Sequence, residues 1–96
     1  MKIVDVCAFY APHGGGVKTY IDRKLEIGTA LGHEIVVIAP GSHAHVERRS
    51  GSGRIIFVES PPLIVDRRYR FFDDPARIHR LLDSGAPDLV EASSPW

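Results

Sequence analysis

An excess of either charge is what this chain most plainly lacks: Lys and Arg number 12, Asp and Glu number 12, and the formal net charge is +0. A balanced chain casts no long-range field toward nucleic acid or an anionic membrane, so any electrostatic site must be local. Long apolar runs are missing too, and none approaches the length needed to span a bilayer. The N-terminal Ile3-Val4-Asp5-Val6 carries a charge in its apolar stretch, which a signal peptide would not. With one cysteine, Cys7, no internal disulfide can form, which fits a reducing compartment, and its apolar neighbours make it a small core residue rather than a nucleophile. Internal repeats, heptads and low-complexity tracts are absent, which excludes solenoids and coiled coils. At 96 residues the chain is one small domain at most, with a thin stability margin, and it reads as soluble and cytoplasmic.

What is present is a sequence of alternating periods. Residues 2 to 9 are apolar apart from Lys2 and Asp5, as suits a strand buried on both faces of a parallel sheet. From Val17 the period changes: Val17, Tyr20, Ile21, Leu25, Ala30 and Leu31 share one side of a helix, Lys18, Asp22, Arg23, Glu26 and Thr29 face away, and Gly32 stops it. A β-branched run, residues 34 to 39, closes a βαβ unit. A short polar strand (44 to 49), a Ser-Gly turn and a third main strand (54 to 59) follow. Asp73-Asp74-Pro75 offers N-caps and a first-turn proline for a second helix with Ile78, Leu81 and Leu82 on its apolar side and Ser84-Gly85 at its stop. Leu89 to Ser93 reads as the fourth main strand. These elements predict an α/β fold, a partial Rossmann-like parallel sheet with main strands in the order 3-2-1-4 and crossover helices. Such a fold normally continues beyond its fourth strand, so residues 1–96 are expected to be the N-terminal part of a longer protein, with an exposed sheet edge prone to self-association.

The glycine run Gly14-Gly15-Gly16 lies at the carboxyl end of the first strand, where open α/β sheets bind ligands. Val17 separates it from Lys18-Thr19 and the first glycine of a Walker A loop is not met, so that loop is excluded. A dinucleotide fingerprint fits poorly, because Thr19 takes the third glycine position and the second strand ends in Ala39-Pro40-Gly41 rather than an acid. Two readings stay open: close backbone approach of a phosphate or sugar to the helix N-terminus, or a tight turn with no ligand.

Four segments in this order, Pro12-His13-Gly14-Gly15-Gly16-Val17-Lys18-Thr19-Tyr20, Ala30-Leu31-Gly32-His33-Glu34, Ile35-Val36-Val37-Ile38-Ala39-Pro40, and the stretch from Ala86 to Trp96, resemble the N-terminal domain of glycosyltransferase family 4. The resemblance covers essentially the whole chain. It implies half of a GT-B enzyme that transfers a sugar from a nucleotide-sugar donor with retention and without a bound metal. The acceptor, a sugar or a lipid-linked one, would lie on this domain and the donor on a C-terminal domain that these residues do not contain. The resemblance also implies a cytoplasmic enzyme, peripheral at the membrane in its full-length form. Gly14, Gly15, Gly16 and Val17 would then face the donor diphosphate or the transferred sugar. Lys18, Glu91, Ser93 and Ser94 would line the cleft, with Ser93 standing where family members often carry a histidine, while His13, by its place beside the glycines, either donates to a phosphate or sugar hydroxyl or lies at the rim. Catalytic residues stay unassigned, and turnover by this part alone is not expected.

Arg67, Arg68 and Arg70, interleaved with Tyr69, Phe71 and Phe72, suit an acceptor loop that grips phosphate and stacks on sugar, or equally a solvated loop whose aromatics plug the core. The basic run is too short, on a neutral chain, for nucleic acid. His43, His45 and Glu47 alternate as metal ligands on a strand would, but no fourth ligand is in reach, so no metal is expected. Asp5 in an apolar strand is expected to bond to neighbouring backbone or to a polar loop. Two other classes remain as alternatives: a non-catalytic binding or assembly module that needs a partner chain, and a nicotinamide-dependent oxidoreductase fragment.

Overall fold

A run such as Ile35-Val36-Val37-Ile38-Ala39 holds as a strand only where both of its faces are covered. The computed structural model describes residues 1–7, 16–49, 53–62 and 70–93, and it sets this run in the middle of a five-stranded sheet. In chain order the elements are β1 (Lys2–Cys7), α1 (Gly16–Ala30), β2 (Glu34–Gly41), β3 (His45–Arg48), β4 (Arg54–Glu59), α2 (Pro75–Gly85) and β5 (Leu89–Ser93). The sheet order is β3-β4-β2-β1-β5. Four strands run parallel, and the polar β3 pairs antiparallel to β4 as a hairpin at the edge. The main strands thus follow the expected 3-2-1-4 order.

Alternation along the strands divides the core in two. On one face Cys7, Ile35, Val37, Ala39, Ile55 and Phe57 pack with Ile21 and Leu25 of α1. On the other, Val4, Val36, Ile38 and Val58 meet Ile78, Leu81 and Leu82 of α2, with Phe72 beside them. Cys7 is fully buried in the first cluster, as its apolar context predicts. No helix of the described residues is long and apolar enough to cross a membrane.

The helix ends follow local chemistry. Asp74 caps α2 by accepting from the Arg77 N–H at 3.2 Å, and Pro75 occupies the first turn, where its missing N–H costs nothing. Gly32, at φ +88°, turns the chain out of α1. At the end of α2 the left-handed residue is Ala86 (φ 45°), one place beyond the expected Gly85, and its N–H bonds the Asp83 carbonyl. The larger departure concerns α1. Ile21 and Leu25 are buried, but Tyr20 and Leu31, assigned to the same side, are 56% and 71% exposed, and Ile27 joins them at 51%. The buried stripe of α1 is narrow, and a second apolar stripe faces outward.

Gly28 lets α1 lie close to β2, because a Cβ there would overlap the Cδ1 of Ile35, itself 2% exposed. In an open helix Gly→Ala would gain about 1 kcal/mol; here overpacking reverses the sign, and Gly28→Ala should lose about 1–3 kcal/mol. Urea unfolding checks this. Adding Ile35→Val, which removes the obstructing methyl, should recover part of the loss and give a combined effect smaller than the sum of the two single changes.

Candidate functional site

The connections leaving the sheet put a topological switch point between β1 and β5, where such folds form their crevice. β1 leads through α1 on one face to β2, while α2 on the opposite face leads to β5, and β1 and β5 are hydrogen-bonded neighbours. Ligands of open α/β sheets collect at the carboxyl ends of such a strand pair. Gly28 lies near the amino end of β2 and Ile21 packs beside Cys7 at the carboxyl end of β1, so α1 runs antiparallel to the strands. Its first turn, Gly16-Val17-Lys18, therefore lies at the carboxyl ends of the strands, with backbone N–H groups that have no acceptor within the helix and with the positive end of its dipole.

One pleat below this edge lies an ion triad. Asp5 of β1 and Glu91 of β5 are register partners, so both point to the α1 face. Lys24 of α1 reaches down between them, its Nζ donating to Asp5 Oδ2 at 2.7 Å and to Glu91 Oε2 at 2.6 Å. The Asp5 side chain is fully buried, that of Lys24 is 16% exposed and that of Glu91 is 38% exposed. Burial pushes the Lys24 ammonium toward its neutral form, but the hydrogen bonds and Coulomb attraction of the two carboxylates outweigh it and raise its pKa above the ordinary 10.5. Tyr20 supports the ammonium with its ring 5.9 Å away. The triad ties together β1, β5 and α1, the three elements whose ends form the crevice.

The other expected site residues distribute as follows. Gly16, Val17 and Lys18 open α1, and Ser93 closes β5 as the register partner of Cys7, so these four converge on the crevice. Glu91 lies one pleat below, within the triad. His13, Gly14, Gly15, Arg67, Arg68, Tyr69 and Ser94 lie outside the described residues. Arg70 is held to the end of β4: its Nη1 donates to the Ser60 carbonyl at 2.8 Å, and its backbone bridges Pro62. His43 and His45 stack on one another at 4.3 Å, and His45 stacks on Phe57 at 4.4 Å. In such a stack the ring nitrogens lie in near-parallel planes and cannot converge on one ion. Glu47 pairs with Arg49 at 3.5 Å. Among the described residues no group of three or more His, Cys, Asp or Glu side chains is placed to hold a metal.

Lys24 was not among the residues the sequence marked, although a signal existed. It sits between Ile21 and Leu25 on the buried stripe of a helix, and Asp5 breaks an apolar strand; two opposite charges at core-phase positions are expected to pair.

Comparison with known proteins gives one kind of relative. The chain is 34% identical, over 96 aligned residues, to GDP-mannose-dependent alpha-(1-6)-phosphatidylinositol dimannoside mannosyltransferases from two strains of Mycobacterium tuberculosis. The alignment takes in 97% of this chain and 24% of each relative, so the chain spans about a quarter of their length. No family model and no solved structure matches.

Lys24→Met takes the ammonium away from the fully buried carboxylate of Asp5, and breaking such a pair costs about 3–5 kcal/mol. Denaturant unfolding should show this loss, with partial recovery on adding Asp5→Asn. The pH dependence has a definite sign. Because the folded state raises the Lys24 pKa, its contribution is whole below 10.5 and fades as pH climbs through the raised value. The unsubstituted chain should lose stability in that alkaline window, and Lys24→Met should lack that component of the loss.

Proposed function

We propose that this chain is the acceptor-side half of a mannosyltransferase of the GT-B type, family 4, which transfers mannose with retention from GDP-mannose to a mannosylated phosphatidylinositol lipid. The carrying observation is the position of the glycine-led N-terminus of α1 at the β1/β5 crevice, in a chain whose whole length aligns with enzymes named for that donor and acceptor. Diphosphate formation puts charge on the leaving group, and fixed backbone N–H groups at a helix start are suited to meet it without a metal. Gly14, Gly15 and Gly16 leave room for that approach, while His13, Lys18, Ser93 and Ser94 supply hydrogen bonds to sugar hydroxyls. Arg67, Arg68 and Arg70 with Tyr69 suit the phosphate and inositol of the acceptor. The donor's nucleotide would be held by a second domain, corresponding to the part of the relatives that the alignment leaves out. In this reading the enzyme works at the cytoplasmic face of a membrane, where its lipid acceptor resides.

Amide shifts in NMR titrations test the reading. Dimannosylated phosphatidylinositol in micelles, GDP-mannose, GDP and NAD are compared. The expected result is a response to the acceptor and a weaker one to the GDP ligands, centred on residues 13–18 and 91–94, with no mannose transfer by this chain alone. Gly15→Leu should weaken the response at least about tenfold, a loss of about 1.4 kcal/mol. Preference for NAD, or indifference to both acceptor and GDP ligands, would sink the proposal.

A further inference from the structure

The outward stripe of α1 is unexplained by the core and by the crevice. Tyr20, Ile27 and Leu31 stand at i, i+7 and i+11, a helix-packing spacing, and all three are more than half exposed. Beside them an open apolar groove of about 450 Å³ runs between α1 and β1, lined by Ile3, Tyr20, Ile27, Gly28 and Ile35. Leu89, the register partner of Ile3 on the edge strand β5, extends the same face and is 43% exposed. Parallel sheets are covered on both faces, and exposed apolar surface of this extent marks a contact.

We propose that the groove is filled by α1 of a second copy of this chain, forming a two-fold dimer. α1 presents an apolar stripe of helix-packing spacing from the wall of the groove itself, so that surface and plug are the same element. Charge is self-complementary as well. Arg23, on the groove's rim, is exposed and without an ion-pair partner among the described residues, and Glu91 on the opposite rim keeps 38% of its side chain accessible beside Lys24. A helix seated in the groove brings its own Arg23 over the partner's β5, and two-fold symmetry makes the contact twice.

Sedimentation equilibrium from micromolar to millimolar protein tests this, with circular dichroism confirming the fold of each variant. The expected result is a monomer–dimer equilibrium weakened at least about tenfold by Ile27→Glu, by Leu31→Glu and by Arg23→Glu. Val46→Glu, on the exposed side of β3, should leave it unchanged. Leu31 is the most exposed of the three apolar positions, so its variant remains informative if Ile27→Glu unfolds. A monomer at every concentration overturns the proposal and leaves the groove to a segment of another kind. A dimer that survives both Leu31→Glu and Arg23→Glu overturns it too.

Discussion

The contact on which this structure most depends is the one Lys24 makes with two carboxylates on adjacent strands. A buried ion pair is a poor source of net stability, since desolvation offsets most of the Coulomb gain. Its value lies in what it forbids. Sliding β5 by one residue along β1 would turn Glu91 to the α2 face and leave one carboxylate fewer for the ammonium, with Leu89 and Val90 exchanging faces as well. β5 is short, lies at an edge and has exposed apolar residues on both faces, so hydrophobic patterning alone specifies its register weakly. The ammonium supplies a specific reason for Asp5 to lie opposite Glu91.

That constraint is transmitted to the crevice by geometry. From Lys24 to the start of α1 at Gly16 is about 12 Å of helix, and from Asp5 to the end of β1 is one pleat, about 7 Å. Both distances are spanned by regular, hydrogen-bonded backbone, so pinning the lower point fixes the upper one. The N-terminus of α1, the end of β1 and the end of β5 are therefore held relative to one another by the Lys24 triad together with the β1/β5 ladder and the packing of Ile21 and Leu25. Asp88 reinforces this from below, accepting from the Lys2 N–H at 2.7 Å and donating its own N–H to the Lys2 carbonyl at 2.9 Å.

How much of this is legible in the sequence depends on whether a signal is local. β-Branched runs, an Asp-Pro helix start and Gly32 act within a few residues, and the strand order follows from them once crossovers are taken as right-handed. Asp5 is the opposite case: Lys24 lies 19 positions from it and Glu91 a further 67 beyond Lys24, and only the fold brings the three together. The misreading of α1 has a different cause. Period alone cannot separate a wide buried stripe from two adjacent ones, one facing the sheet and one facing outward. Tyr20 and Leu31 continue the periodicity of Ile21 and Leu25 but sit about a quarter-turn away, facing outward rather than onto the sheet. Of the crevice, the α1 start and the end of β5 were legible because glycines and strand ends mark them. The supporting charge network was not.

The same triad bears on where anion affinity comes from in the proposed site. Two carboxylates and one ammonium leave one negative charge near the crevice, and at about 12 Å with an effective dielectric of about 20 this opposes each unit of incoming negative charge by about 1.4 kcal/mol. The N-terminus of α1 returns about 0.3–1 kcal/mol, up to about 2 in a partly buried setting. The two nearly cancel. A helix start that is electrostatically close to neutral can position a phosphate through its N–H groups without trapping it, which suits a leaving diphosphate that must depart after transfer. Net attraction for an anionic ligand then has to come from guanidinium groups outside the β1/β5 crevice, and in this chain of balanced charge the densest supply is the run Arg67, Arg68 and Arg70. Arg70 is already anchored by its bond to the Ser60 carbonyl at the end of β4. That bond places Arg70 beyond the carboxyl end of β4, at the same edge of the sheet as the carboxyl end of β1.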